Sequence, residues 1–313
     1  MKAVVVEHRG DDGTLKEIPA PQPGERELLV RVTAAGVNPV DWKSRDRGDR
    51  ALPFVLGRDF AGVVSAPGAR VSKYREGERV FGIARTHGAF AEYTVVPEES
   101  NEEPIAKIAD TVGDADAASL PTAGLTALAA IEWLHVGNGT TLLVIGATGG
   151  VGGFAVQIAC DRGVRVIGTG RSASEQFARD LGIEEFVAYD KEDVVQAMKA
   201  AHPGGVDAVL DVASDADAIK KVGELVHAGG RIASTIGAAD IDWFAQRKIA
   251  ADNLYMLDSP QASHAGLRTL LKLLEHERIR VVIAEERPLA EAVDALAESK
   301  SGSVNGKLVI TVD

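Results

Sequence analysis

The sequence contains a single cysteine, Cys160, among 313 residues. One thiol excludes a disulfide framework and also a structural zinc site made of four cysteines. Such low cysteine content is typical of a reducing compartment, so we expect a cytoplasmic protein. The first ten residues, MKAVVVEHRG, hold only a short apolar run before charged residues begin, and we expect no signal peptide.

Positive charge is also scarce, because 34 Lys and Arg face 46 Asp and Glu, for a formal net charge of −12. Nucleic acids and anionic membrane surfaces attract the opposite sign, so we expect neither as a partner. Residues 133–160 lack a formally charged side chain, but glycines interrupt this segment repeatedly. We therefore predict a buried strand, loop and helix there, and no transmembrane segment.

Glycine, by contrast, is concentrated in one stretch. Residues 141–153 have the sequence TLLVIGATGGVGG, an apolar strand followed by a loop with five glycines. The loop matches the G-x-G-x-x-G fingerprint with alanine at its first position, and an apolar helix and a second buried strand follow. This βαβ unit predicts that a dinucleotide pyrophosphate is bound by Ala147, Thr148, Gly149, Gly150, Val151 and Gly152.

The end of the second strand distinguishes between the two nicotinamide dinucleotides. NAD binders place an acid on the adenosine ribose about 20 residues after the glycines. Here the strand ends in Gly170-Arg171-Ser172, and Arg171 offers a planar, permanently charged group to a 2′-phosphate. Ser172 and Glu175 also fit a capping box, which predicts a helix N-terminus at the same place. We predict NADPH as the cofactor; the alternative is that Arg171 is an ordinary solvated loop arginine.

The strand pattern changes near residue 118. Before it, short alternating strands and turns with Pro or Gly predict an antiparallel β barrel or sandwich. After it, six strands alternate with helices, as in a doubly wound dinucleotide fold. The predicted strands of this fold are 141–145, 164–168, 185–189, 207–212, 231–235 and 253–257. We expect residues 119–257 to form the nucleotide-binding domain, inserted in a domain formed by 1–118 and 258–313.

Five motifs occur in a fixed order along the chain, namely AAGVNPVD (34–41), LGRDFAG (56–62), GAFAEY (88–93), LPTAGLT (120–126) and GATGGVG (146–152). In this order and spacing the chain resembles the medium-chain dehydrogenase/reductase superfamily. The resemblance extends over the whole chain and is strongest to the zinc-independent quinone oxidoreductase branch, which includes zeta-crystallin and the enoyl reductases of polyketide synthases. It implies an α/β fold in which a six-stranded Rossmann domain is inserted in a GroES-like β-barrel catalytic domain.

Zinc-dependent relatives carry Gly-His-Glu where this chain has Gly57-Arg58-Asp59, and their ligating cysteine falls within 36–41. With one cysteine and seven scattered histidines, we predict no metal site. Alcohol oxidation benefits from a Lewis acid, whereas reduction of a quinone or an activated C=C bond develops a delocalised charge that hydrogen-bond donors stabilise. The sequence thus favours hydride transfer from NADPH to a small quinone or α,β-unsaturated carbonyl compound.

The resemblance also implies roles for individual residues. It places Asn38 beside the nicotinamide and the reacting carbonyl, and Thr126 on the nicotinamide side. Asn38 has an alternative as a simple turn residue before proline. For Asp41 two interpretations stay open, since it could orient Asn38 or Lys43, or could pair with Arg45 on the surface.

Further residues are expected around these positions. Tyr189, at the end of the third Rossmann strand, is implied to contact the adenosine part of the cofactor. Ile236 and Gly237, after the fifth strand, complete the predicted cofactor site. Arg58 and Asp59 are expected to form a structural ion pair. Near the C-terminus the family often has His-x-Arg-Gly-Lys, whereas this chain has Ser-Val-Asn-Gly-Lys at 303–307.

Two classes of function follow from these observations. The first is a metal-free NADPH-dependent reductase. The second is an NADPH-binding protein without turnover, either a redox sensor or a crystallin-like structural protein. NADP-binding short-chain reductases are disfavoured because none of the tyrosines is followed by lysine four residues later. The resemblance further implies a homodimer that pairs near 253–257.

Overall fold

The computed structural model describes residues 1–48 and 50–313. Its strands follow the two patterns seen in the sequence: alternating burial where one sheet face is solvated, and continuous burial where both faces are covered. The strands are β1 (Lys2–Val6), β2 (Thr14–Glu17), β3 (Glu27–Gly36), β4 (Phe54–Val55), β5 (Asp59–Pro67), β6 (Arg79–Ile83), β7 (Tyr93–Pro97), β8 (Ile105–Lys107), β9 (Thr141–Ile145), β10 (Arg165–Gly170), β11 (Glu185–Ala188), β12 (Val206–Asp211), β13 (Val226–Ser234), β14 (Ala250–Asn253), β15 (Ile283–Pro288) and β16 (Lys307–Thr311).

The helices begin at recognisable caps. The side chains of Asp193, Asp215 and Ser263 each accept a hydrogen bond from a backbone N–H of the helix that follows. The helices are α1 (Pro39–Arg47), α2 (Asp114–Ser119), α3 (Pro121–Leu134), α4 (Gly150–Asp161), α5 (Glu175–Asp180), α6 (Val194–Ala201), α7 (Ala216–Gly223), α8 (Ile241–Ala245), α9 (His264–Glu275) and α10 (Ala292–Ser301).

The chain divides into two compact units. The first unit consists of Met1–Leu125, Ala262–His276 and Val281–Asp313. Its main sheet runs β15-β16-β3-β5-β6-β8, with β7 paired to β3, and a smaller sheet has the order β2-β1-β4. Apolar side chains from β3, β5, β6 and β16 form its core. The C-terminal strand therefore belongs to this unit, since β16 pairs antiparallel with β3.

The second unit consists of Thr126–Gln261 and Glu277–Arg280. Its sheet has the order β11-β10-β9-β12-β13-β14, and every neighbouring pair is parallel. This is the order of a doubly wound Rossmann fold, whose strand order reverses between the first and fourth strands, here β9 and β12. The predicted six-stranded α/β fold is confirmed.

The last Rossmann strand was placed wrongly by the sequence pattern. The predicted strand 253–257 is shifted, because β14 is Ala250–Asn253 and pairs with β13. The residues of β14 (AADN) are small and polar, as an edge strand tolerates, so apolar patterning does not reveal them. Leu254 and Met256, which suggested a strand, are buried just beyond its end. In the described part of the chain, no helix is both long enough and apolar enough to span a bilayer.

Candidate active site

The glycine-rich loop connects β9 to α4 at the point where the Rossmann strand order reverses. Gly146 adopts a φ of +82°, which L side chains rarely allow. At Gly152, an added Cβ would lie 2.2 Å from the carbonyl oxygen of Gly146. The helix therefore starts in contact with the end of the strand, and only glycine fits at this contact.

The outer face of the same loop is open. A Cβ added at Gly149 would meet nothing closer than 3.8 Å, so the backbone there is accessible to a ligand. Gly149 is the N-cap of α4, and the first N–H groups of a helix have no intrahelical acceptor. Such N–H groups and the helix dipole favour a phosphate. The residues present thus fit the pyrophosphate of a dinucleotide.

A second group of predicted cofactor residues lies at the ends of β10 and β11. The Nε atom of Arg171 donates a hydrogen bond to the hydroxyl oxygen of Tyr189 at 3.3 Å. Both side chains are solvent-exposed. Gly170, the last residue of β10, directly precedes Arg171. Arg171 and Tyr189, predicted from separate arguments, are therefore neighbours in the structure.

The predicted capping box at Ser172 is wrong. The Ser172 hydroxyl donates to a carboxylate oxygen of Asp190 at 2.8 Å, and its backbone N–H donates to the other at 2.7 Å. Residues 172–174 form a 3-10 turn, and Glu175 pairs with Arg179 one turn later in α5. Asp190 was missed because it follows the neighbouring strand, while the fingerprint looks for an acid at the end of β10.

The remaining predicted residues of the second unit lie on two elements. Ile236 and Gly237 follow β13 in a loop, with Ile236 exposed and Gly237 at a φ of +78°. Thr126 is buried in α3. Asp211, which the sequence pattern did not reveal, is fully buried at the carboxyl end of β12 and accepts hydrogen bonds from the backbone N–H groups of Ala213 and Ser214.

In the first unit, Asn38 is the centre of a buried polar cluster. Its amide oxygen accepts a hydrogen bond from Nζ of Lys307 at 2.6 Å, and its amide nitrogen donates to Asp59 at 2.8 Å. The same nitrogen donates to the carbonyl oxygen of Gly36 at 3.3 Å. Both amide hydrogens of Asn38 are therefore used within the protein, and the Lys307 contact fixes which way the amide faces.

The two carboxylates of this cluster have different surroundings. Asp59 accepts hydrogen bonds from the backbone N–H and the hydroxyl of Thr122, at 2.9 and 2.6 Å, in addition to that from Asn38. Asp41 accepts one from the backbone N–H of Asn38 at 2.8 Å, and its other oxygen, Oδ1, is buried without a partner in the described structure. Both carboxylate oxygens of Asp59 therefore accept hydrogen bonds, whereas only one carboxylate oxygen of Asp41 does.

Burial dominates the protonation of the cluster. Asn38 and Asp41 are each 2% exposed, Asp59 is fully buried and Lys307 is 4% exposed. Burial raises the pKa of Asp41 to about 7. It also raises the pKa of Asp59, against the opposing effects of Lys307 and the donated hydrogen bonds, and it lowers the pKa of Lys307. Asp41 can therefore hold or release a proton near neutral pH.

These contacts decide between the two interpretations of Asp41 and correct one expectation. Asp41 contacts Asn38, whereas Arg45 pairs with Asp12 and Asp46. The expected ion pair of Arg58 with Asp59 is not among the contacts of the described residues, because Asn38 and Thr122 occupy the Asp59 carboxylate. Lys307 was missed because a lysine before the apolar run LVI suggests a solvated strand end. Only its position in the Gly-Lys pair of the family motif indicated that Lys307 could belong to a functional site.

Among residues 1–48 and 50–313, no three His, Cys, Asp or Glu side chains are close enough together to hold a metal ion.

Two family models match the chain. Residues 24–108 match the alcohol dehydrogenase GroES-like domain, and residues 181–310 match the zinc-binding dehydrogenase family. A chloroplast envelope quinone oxidoreductase homolog of Arabidopsis thaliana is 30% identical over 311 residues, covering 94% of this chain and 92% of the relative. The chain belongs to the medium-chain dehydrogenase/reductase superfamily. Within the superfamily it falls in the zinc-independent quinone oxidoreductase branch, and it is an oxidoreductase.

Other similar proteins carry the names of a furanone reductase and of quinone oxidoreductases, and one similar structure contains NADPH. The 2-methylene-furan-3-one reductase of Solanum lycopersicum is 30% identical, covering 94% of this chain and 74% of the relative. The quinone oxidoreductase structure from Coxiella burnetii superposes with a TM-score of 0.90 at 32% identity, covering 100% of this chain and 99% of that one. A mycobacterial structure complexed with NADPH superposes with a TM-score of 0.87 at 27% identity, covering 99% and 100%. This medium-chain dehydrogenase/reductase thus has the fold of nicotinamide-cofactor-binding oxidoreductases.

Proposed function

We propose that the chain is an NADPH-dependent reductase of quinones or of the C=C bond of α,β-unsaturated carbonyl compounds. The observation that carries the proposal is the pair of Arg171 and Tyr189 beside the open glycine loop. It supplies a cationic group where an NAD-specific site has an acid. The similar mycobacterial structure that contains NADPH supports the same cofactor.

Different groups of residues bind different parts of the cofactor in this proposal. The loop from Ala147 to Gly152 would hold the pyrophosphate through those of its backbone N–H groups that have no acceptor in the protein, whereas the N–H of Ala147 donates to the carbonyl oxygen of Thr169. Gly170, Arg171, Ser172 and Tyr189 surround the adenosine ribose and its 2′-phosphate. Ile236 and Gly237 border the nicotinamide half from the end of β13. When bound, the reduced nicotinamide supplies a hydride.

The substrate class rests on the relatives and on the buried polar cluster. Two of the similar proteins carry the names quinone oxidoreductase and 2-methylene-furan-3-one reductase. A developing enolate or quinol oxygen needs nearby donors and a source of protons. Asn38, Asp41 and Thr126 are the catalytic residues of the proposal. Asn38 lies beside the reacting carbonyl and orients Asp41, because its own amide hydrogens are donated to Asp59 and Gly36.

Within the cluster we assign the proton to Asp41. Its Oδ1 has no partner in the described structure, and its pKa of about 7 leaves the carboxyl partly protonated at neutral pH. Asn38 is held by Lys307 and Asp59, so its amide does not rotate freely. Lys307 and Asp59 are thus positioning residues for Asn38.

Turnover tests the proposal directly. Purified protein is mixed with NADPH and a panel of quinones and enones, and the loss of NADPH absorbance is followed. We expect turnover with at least one member of the panel. If NADPH binds and no member is reduced, the alternative of a sensor or structural protein is supported instead.

The cofactor assignment predicts the effect of Arg171→Ala. Hydrogen bonds to a charged partner contribute about 1.5–3 kcal/mol, so the KM for NADPH should rise about 10- to 100-fold. The KM for NADH should change less than about twofold, because NADH has no 2′-phosphate. Arg165→Ala is the matched control, since Arg165 lies at the opposite end of β10 and pairs with Glu184 and Glu185. Equal increases for both cofactors would contradict the assignment.

A homodimer that pairs near residues 253–257 and a cytoplasmic location remain predictions from the sequence.

A further inference from the structure

Asp190 occupies hydrogen-bond donors that the cofactor site also needs. Its two carboxylate oxygens accept the backbone N–H of Ser172 at 2.7 Å and the Ser172 hydroxyl at 2.8 Å. These are the polar hydrogens that Ser172 can offer to a ligand. A 2′-phosphate that binds Ser172 must therefore displace the Asp190 carboxylate.

The carboxylate is an anion at neutral pH. Asp190 is exposed, and the two hydrogen bonds from Ser172 hold the pKa of its carboxyl below the ordinary value. The residue before it, Tyr189, contacts Arg171. A negative charge thus lies within the group of side chains proposed for the 2′-phosphate, where like charges repel.

We propose that Asp190 is a specificity-determining residue that competes with the 2′-phosphate for Ser172 and so limits the preference for NADPH over NADH. The inference rests on the cofactor site of the proposed function. With NADH the carboxylate stays in place, and it offers an acceptor to the ribose hydroxyl, as the acid of NAD-specific sites does. Arg171 and Asp190 therefore act in opposite directions, one favouring the phosphorylated cofactor and the other the unphosphorylated cofactor.

The experiment uses the adenosine halves of the two cofactors, so that it does not depend on turnover. The Kd values of adenosine 2′,5′-bisphosphate and of adenosine 5′-monophosphate are measured by calorimetry for the intact protein and for Asp190→Asn. The substitution keeps the shape of the side chain and removes its charge. We expect the Kd of the bisphosphate to fall about tenfold, the effect of removing one like charge at contact distance. The Kd of the monophosphate should stay the same within about twofold or rise.

Glu192→Gln is the matched control, since Glu192 is exposed two residues away and its loss changes the net charge equally. We expect it to leave the ratio of the two Kd values unchanged within about twofold. Asp190→Ala, which also removes the acceptor, should shift the ratio in the same direction as Asp190→Asn. The proposal is overturned if both Asp190 variants leave the ratio unchanged, or if Glu192→Gln shifts it as much.

The result is distinguishable from a failure of the proposed function. If the ratio shifts as expected while no quinone or enone is reduced, Asp190 keeps its role and the proposed reaction is wrong. If turnover occurs and the ratio does not shift, the reductase stands and the role of Asp190 is wrong.

Discussion

The two polar sites of the molecule are built in opposite ways. In the second unit, the proposed nucleotide site is made of a continuous loop and of exposed side chains at the ends of two adjacent strands. In the first unit, the cluster around Asn38 joins residues from four separate segments and is almost completely buried. One site depends on backbone shape and the other on hydrogen bonds among buried polar and charged side chains.

This difference determines what each site costs the fold. A backbone loop with free N–H groups at the surface is hydrated before a ligand binds, so it needs no internal partner. A buried lysine and two buried carboxyl groups are unfavourable unless each has partners. We therefore expect substitutions in the cluster to lower stability as well as turnover, and substitutions in the loop to act more on cofactor binding than on stability.

The largest expected effect is that of Lys307→Met. The variant keeps the apolar length of the side chain but removes the donor to the carbonyl oxygen of Val37 and the amide oxygen of Asn38, together with the positive charge near Asp59, so we expect a loss of about 3–5 kcal/mol in the free energy of unfolding. Denaturant titration measures it. The control is Lys300→Met, whose ion pair with Asp46 is half-exposed and should contribute less than about 1 kcal/mol. Equal losses in the two variants would show that buried Lys307 contributes no more to stability than an exposed lysine, contrary to the prediction.

Asp41→Asn should change how stability depends on pH. Because the folded pKa of Asp41, about 7, lies above its ordinary value of 3.8, the folded state binds the proton more tightly than the unfolded chain. Stability from this group is therefore lost as pH rises. Between pH 5 and 8, the unfolding free energy of the intact protein should fall by about 3 kcal/mol relative to the variant.

Asp46→Asn is the comparison for that experiment. Its hydrogen bond with Lys300 holds the pKa of Asp46 below the ordinary value, so this carboxyl is ionised throughout the same pH range. The difference between Asp46→Asn and the intact protein should stay constant from pH 5 to 8. A constant difference for Asp41→Asn as well would show that Asp41 does not titrate in this range.

The smallest expected effect on stability is that of Gly152→Ala. Its Cβ would overlap the carbonyl oxygen of Gly146, so strand and helix must separate, at a cost of about 1–3 kcal/mol. The displaced loop should also weaken NADPH binding by about tenfold or more, which nicotinamide fluorescence measures.

Gly153→Ala is the matched variant one residue later in α4. There an added Cβ would meet Leu181 at 3.5 Å and the carbonyl oxygen of Ala147 at 4.0 Å, which are ordinary contacts, and alanine favours the helix. We expect unchanged binding and slightly higher stability. Loss of binding in both variants would mean that the helix as a whole, and not the contact at Gly152, is sensitive.

The same contrast explains what the sequence predicted and what it did not. The glycine loop and Arg171 are short-range patterns, and they follow β9 and β10 as the strand pattern predicted, while their contacts with a cofactor stay a prediction. Lys307 and Asp59 could not be predicted as partners of Asn38, because they are 269 and 21 residues away. Lys307 reaches Asn38 only when β16 pairs with β3, and Asp59 only when β5 pairs with β3. Asp190 was missed for a related reason, since it is brought to Ser172 by the parallel pairing of β10 and β11.

The transfer of deuterium from NADPH labelled at C4 of the nicotinamide tests the central claim most directly. An enone is reduced in a single turnover, and the saturated product is analysed by mass spectrometry. The proposed reaction predicts one deuterium on the β-carbon of the saturated product, with a stoichiometric loss of NADPH. Two results would contradict the proposed reaction. One is a reduced product that carries no deuterium, whichever of the two C4 hydrogens of NADPH is labelled. The other is NADPH that binds but is consumed with none of the substrates.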